Sequence, residues 1–130
     1  MQPADSSLPR LLVVDDDISH LMIFERAFKH DFTLRVAWSG LEALDILKEE
    51  GVDVIVTDYT MPGLNGLALL RETRRRWPWI GRILMTGRPD IQFIEDARSE
   101  GVVEALVAKP WDGLEIRDHA LALYRRKRAA

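Results

Sequence analysis

Four short apolar runs constrain this chain more than any other feature: RLLVV at 10–14, VDVIVTD at 52–58, RILMT at 82–86 and VVEALVA at 102–108. Each has the length of a strand, and none leaves a regular polar face for water. Such strands belong in a sheet covered on both sides, the usual setting of parallel sheets. A fifth run, TLRVAW at 33–38, alternates apolar and polar residues and so fits nearer an edge. Helical patterns separate the runs. Five strands alternating with five helices predict an α/β fold: a doubly wound, five-stranded parallel sheet with helices on both faces.

The helical patterns carry their own punctuation. ISHLMIFERAFKH (18–30) places Ile18, Leu21, Met22 and Phe28 at helical spacing. SGLEALDILKEEG (39–51) opens with Ser39 and Glu42 as a capping box and closes with Gly51 as the residue past the C-cap. GLALLRETRRRW (66–77) stops before Pro78. DIQFIEDARSEG (90–101) keeps Ile91, Ile94 and Ala97 in phase and leaves Phe93 out of phase, a candidate for an exposed contact surface. DGLEIRDHALALYRRKR (112–128) opens with Asp112 and Glu115 as a second capping box. Residues 1–9, with Pro3 and Pro9, are expected to be a flexible leader, 10–126 the domain, and 127–130 a basic tail or the start of a linker.

Composition excludes several classes. With 47% apolar and 30% charged residues, the chain has the balance of a soluble globular domain. No cysteine is present, which removes disulfides and thiolate metal sites and suits a reducing cytoplasm. The net charge of −3 gives no support to direct nucleic-acid binding. No run has the length of a membrane span, and the polar N-terminus lacks the apolar core of a signal peptide.

In doubly wound sheets, ligands bind beyond the carboxyl ends of the strands. Those ends carry Asp15 and Asp16, Asp58, Thr86 and Gly87, and Lys109 and Pro110. Three carboxylates crowded at the ends of apolar strands require a compensating cation. Without His or Cys beside them, they favour a hard ion, Mg²⁺ or alternatively Mn²⁺. Mg²⁺ binds through one or two carboxylates and keeps positions open for phosphate. Lys109 then supplies a point charge for a phosphoryl group and Thr86 a hydroxyl donor. Gly87 lets backbone approach an incoming oxygen, and one carboxylate can serve as nucleophile.

With VVDDD at 13–17, VIVTDYTMPGLNG at 54–66, LMTG at 84–87 and AKPW at 108–111, the chain resembles the receiver domain of two-component response regulators over roughly residues 10–126. The resemblance implies a sheet of strand order 2-1-3-4-5. It implies Asp58 as phosphate acceptor and Mg²⁺ ligand, Asp16 as a direct Mg²⁺ ligand, and Asp15 as a ligand directly or through water. The backbone carbonyl of Thr60 completes the coordination. Thr86 and Lys109 contact the phosphoryl group, and the Lys109–Pro110 bond is cis. The implied function is a phosphorylation-activated signalling switch in the cytoplasm, not an enzyme. Its partners would be a sensor histidine kinase or phosphotransfer protein, with an output domain or a second copy on the helix 4–strand 5–helix 5 face. The chain departs from the family at Leu106, where an aromatic usually moves with the threonine.

The plainer readings stand beside these. Asp17 is a helix N-cap before Ile18. His20, His30 and His119 lack metal-ligand or triad spacing and are read as structural or exposed. The arginines at 74–76 and the RRKR run at 125–128 complement helix C-termini. Trp77 and Trp79 pack at the turn around Pro78, and Trp111 is a candidate cover for the site. Three rival functions stand beside the signalling switch. A Mg²⁺-dependent aspartate-nucleophile phosphatase would need a second aspartate where Thr60 stands, and a flavodoxin-like cofactor binder would need a phosphate loop where DDDIS stands. A receiver-like module acting without phosphorylation keeps some room because of Leu106. The chain ends soon after its last helical pattern, which fits a stand-alone receiver or a piece of a longer regulator.

Overall fold

The computed structural model describes residues 8–129. The elements run β1 (Arg10–Val14), α1 (Ile18–Phe28), β2 (Thr33–Ala37), α2 (Gly40–Glu49), β3 (Val54–Asp58), α3 (Gly66–Arg76), β4 (Gly81–Thr86), α4 (Gln92–Ser99), β5 (Ala105–Ala108) and α5 (Gly113–Ala129). The strands form one sheet in the order β2-β1-β3-β4-β5, and every pairing is parallel. The expected fold class and strand order are both observed.

Successive strand residues point to opposite faces, so each strand feeds two cores. Leu12, Val14, Ile55 and Leu84 pack with Ala43, Ile46, Leu69, Leu70, Ile94 and Ala97 of α2, α3 and α4. Leu11, Val13, Val54, Val56, Ile83, Met85 and Val107 pack with Leu21, Phe24 and Phe28 of α1 and with Ile116, Ala120 and Leu123 of α5. Each Val, Leu, Ile, Phe or Met side chain among them contributes about 1.5–3 kcal/mol by leaving water. Phe24, Phe28 and Phe32 form an aromatic row on this face, with successive centroids 5.8 Å apart. Only β2 has a mostly half-buried pattern, as its edge position dictates.

Several local expectations need correction. The buried stripe of α1 is Leu21, Phe24 and Phe28, whereas Ile18 and Met22 are 63% and 51% exposed. The expected stripe was rotated away from Phe24, the residue that meets the sheet. The fifth strand covers only Ala105–Ala108 rather than 102–108. Val102 and Val103 are buried, but their N–H groups bond to the Ala97 carbonyl and close α4. Gly51 is not a left-handed cap, because α2 leaves through Glu50 in extended geometry. The left-handed glycine after a helix is Gly101, at φ +86° behind α4. Ser39 does cap α2, accepting from the Glu42 N–H at 3.0 Å, but Glu42 reaches back to the N–H of Trp38 rather than that of Ser39.

At the ends of the chain, residues 1–7 of the expected leader lie outside the described residues. Pro9 is buried, and its carbonyl accepts from the Thr33 N–H at 2.9 Å. Helix α5 runs through Lys127 and Arg128, so within the described residues the expected basic tail is helix. Lys127 Nζ lies 2.8 Å from Glu104. No helix among the described residues is long and apolar enough to cross a membrane.

Candidate functional site

The parallel sheet brings the carboxyl ends of β1, β3, β4 and β5 to one rim. Asp15 extends the β1–β2 ladder by one bond, its N–H donating to the Ala37 carbonyl at 3.1 Å, and its side chain is buried. Asp16 follows in the loop and is exposed. Asp58 is the last residue of β3 and is 5% exposed. Asp15, Asp16 and Asp58 each offer a carboxylate oxygen, all within 4.8 Å of one another. Lys109 Nζ lies 2.8 Å from Asp58 Oδ1, and the Lys109–Pro110 bond is cis.

The backbone around Asp58 is tightly held. Thr57 Oγ1 donates to the Asp58 carbonyl at 3.0 Å, and the Gly66 N–H donates to the Tyr59 carbonyl at 2.9 Å. A Cβ on Gly66 would stand 2.1 Å from the Asp58 carbonyl oxygen. Glycine there lets the start of α3 lie flush against the end of β3. Thr60 lies two residues beyond Asp58 in the loop before α3, with its side chain exposed.

Thr86 is buried at the end of β4, and its hydroxyl accepts from the Arg88 N–H at 2.9 Å. The space where Gly87 would carry a Cβ is open, with no heavy atom of a described residue other than its chain neighbours within 4 Å. Leu106, paired with Leu84 across the β4–β5 ladder, is half-buried against the core under α2, α3 and α4. Phe93 is 45% exposed, as its phase implied, and its ring meets that of Tyr59 at 5.7 Å. Trp111 does not lie over the rim as a cover. Its ring stacks on Phe24 at 4.3 Å, in the core beneath α1 and α5. Trp77 is half-buried in the core around its turn, whereas Trp79 is 61% exposed.

Electrostatics follows from this placement. Burial raises the Asp58 carboxyl above the ordinary carboxylate range. The bond and charge of Lys109 pull it down, and the negative charge of Asp15 pushes it up again. One ammonium faces three carboxylates, so the cluster retains excess negative charge. Oxygen donors at this mutual spacing, with space open beside Gly87, fit a hard divalent cation such as Mg²⁺ or Mn²⁺.

Sequence reasoning missed one residue of this rim. His20 Nδ1 lies 3.0 Å from Asp15 Oδ2, and its Nε2 lies 3.5 Å from Asp17 Oδ2. The available signal was its position three residues past the N-cap Asp17, because helical side chains lean toward the N-terminus. Asp17 itself caps α1 as expected, its Oδ1 accepting from the Ser19 N–H at 2.9 Å.

The comparisons with known proteins agree with the fold. The family described as the response regulator receiver domain matches residues 11–121. The chain is 36% identical over 115 residues to the DNA-binding transcriptional regulator NtrC of Escherichia coli K12, covering 88% of this chain but 24% of that protein. It is 31% identical to sporulation initiation phosphotransferase F of Bacillus subtilis, covering 84% of this chain and 88% of that one. A solved response regulator receiver domain from Clostridium thermocellum superposes with a TM-score of 0.87 at 29% identity, covering 94% of this chain and 98% of that one.

Proposed function

The chain belongs to the response regulator receiver domain family, and from that premise we propose that it is a phosphorylation-activated switch that takes its phosphoryl group on Asp58. The observation that carries this reading is the 2.8 Å pair of Lys109 Nζ and Asp58 Oδ1, set beside two further carboxylates. The proposed donor is a histidine of a sensor kinase or phosphotransfer protein. A carboxylate oxygen of Asp58 attacks phosphorus, the phosphorus–nitrogen bond breaks, and its electron pair leaves with the imidazole. The product is an aspartyl phosphate.

Attack of an anion on an anion needs charge neutralised on both sides. Mg²⁺, when bound, supplies that neutralisation, and Asp15, Asp16, Asp58 and the Thr60 carbonyl are the residues that would hold it. Lys109 exchanges its bond to Asp58 for one to a phosphoryl oxygen. Thr86 can turn its hydroxyl from accepting the Arg88 N–H to donating to the phosphoryl group. That change biases the face formed by α4, β5 and α5 between two arrangements, and the face would engage an output domain or a second copy. Signalling rather than turnover is the proposed task, with a cytoplasmic location. In NtrC the matched segment is about a quarter of the protein, so any output belongs to this proposal.

The test is phosphorylation by a small donor such as acetyl phosphate with Mg²⁺. One phosphoryl mass is expected on the wild-type chain, labile to hydroxylamine, and none on Asp58→Asn. Modification that persists in Asp58→Asn, or maps to a histidine, overturns the reading.

A further inference from the structure

The Asp15 carboxylate is buried and has a partner on each oxygen. Oδ1 accepts the N–H of Asp17 at 2.9 Å, and Oδ2 lies 3.0 Å from His20 Nδ1. A carboxylate oxygen only accepts here, so His20 Nδ1 carries the hydrogen. Each oxygen keeps a second lone pair, and the two bonds fix the direction in which those lone pairs point. His20 is itself constrained. It stands in the first turn of α1, and its Nε2 is 3.5 Å from Asp17 Oδ2. The opposite oxygen of Asp17 is locked by the Ser19 N–H as the helix cap. The helix cap, the imidazole and the Asp15 carboxylate thus form one connected unit beside Asp16 and Asp58.

We propose that His20 is a positioning residue for divalent-cation binding: it orients the Asp15 carboxylate toward Asp16 and Asp58, and so raises the affinity of the acidic rim for Mg²⁺. The inference rests on the reading of that rim as a Mg²⁺ site. Such outer partners fix the orientation of a ligand and typically account for 10–100-fold in metal affinity. With His20 removed, Asp15 loses the partner of Oδ2 and gains rotational freedom. Its carboxylate must then be ordered by the cation itself, and affinity falls. The fold has little stake in the contact, because His20 is 36% exposed and contributes to neither core.

The experiment is calorimetric titration of the whole chain with MgCl₂ alone, alongside thermal melting in chelator. His20→Leu is expected to bind Mg²⁺ about 10-fold more weakly while melting in chelator like the wild type. His20→Asn puts an amide N–H near the place of Nδ1 and is expected to restore most of the affinity. His20→Gln, whose amide N–H sits near the place of Nε2, is expected not to. Asp16→Asn is the control for the site. If Asp16→Asn loses binding while His20→Leu keeps wild-type affinity, the positioning role is overturned and the site reading stands. If His20→Leu melts lower in chelator and Asn does not restore Mg²⁺ affinity, the residue is merely structural and the inference is again overturned. If Asp16→Asn binds as the wild type does, the site reading fails and the inference with it.

Discussion

At the scale of single residues, the site is a problem in burying charge. Asp58 is nearly inaccessible, and burial outweighs Lys109 in setting its protonation, so its carboxyl lies above the ordinary range. A carboxyl with a raised folded-state pKa binds its proton more tightly when folded. Its contribution to stability is therefore present at low pH, and is lost as pH rises from the unfolded value of about 4 through the raised folded value. Asp58→Asn removes that ionisation. In chelator, the stability of Asp58→Asn relative to wild type is expected to increase as pH rises across this window, measured by urea denaturation at several pH values. A difference that stays flat, or that moves in favour of the wild type, would show that Lys109 dominates instead. The residue types at this rim were legible in the sequence, because carboxylates at the ends of apolar strands have no ordinary structural explanation. His20 was not legible as part of it. Its role depends on a helix beginning at Asp17, and a lone histidine carries no spacing signal until that start is fixed.

At the scale of elements, the strands were easier to read than their edges. Runs such as LLVV and VIV are buried on both faces and have no alternative placement in water. The error at β5 arose because Val102 and Val103 are as apolar as a strand yet serve to close α4. Arg82 is the reverse case: it lies in β4 and is 3% exposed. Its guanidinium donates to the carbonyls of Ile80, Gly101 and Val102 within 3.1 Å. No sequence pattern announces a charged group that the backbone itself will satisfy. The junction of β3 and α3 provides a direct test of element packing. Alanine in a helix ordinarily gains up to about 1 kcal/mol over glycine. At Gly66 the added Cβ would meet the Asp58 carbonyl oxygen at 2.1 Å, far inside contact distance. Gly66→Ala is therefore expected to destabilise the chain, by roughly 1–3 kcal/mol as for other overpacked sites. It should also slow phosphorylation by displacing Asp58. Denaturant unfolding and phosphodonor kinetics check both effects, and an alanine that stabilises would show that the junction yields freely.

At the scale of the molecule, the proposed switch requires that a phosphoryl group on Asp58 be felt at a face built from α4, β5 and α5. Family members usually use an aromatic where this chain has Leu106. Leu106 is half-buried against the core beneath α2, α3 and α4, and it has no polar group with which to follow Thr86. A second route is present. Tyr59 directly follows Asp58, its N–H is tied to the Met85 carbonyl at 2.9 Å, and its ring meets Phe93 of α4 at 5.7 Å. Movement of the Asp58 loop therefore has an aromatic contact with α4 that bypasses β5. Coupling is a free-energy difference between two arrangements, and it is carried by contacts that differ between them. A beryllofluoride mimic of the phosphoryl group is expected to shift the amide resonances of residues 86–98 strongly and those of β5 weakly. Phe93→Ala should diminish the α4 response while leaving the mimic bound. Leu106→Ala, at a half-buried position, should cost less than the roughly 2–5 kcal/mol of a fully buried leucine and leave the pattern of shifts in place. Large changes centred on Leu106 and Val107 with α4 silent would show that the leucine carries the signal, and that the Tyr59–Phe93 contact is only packing.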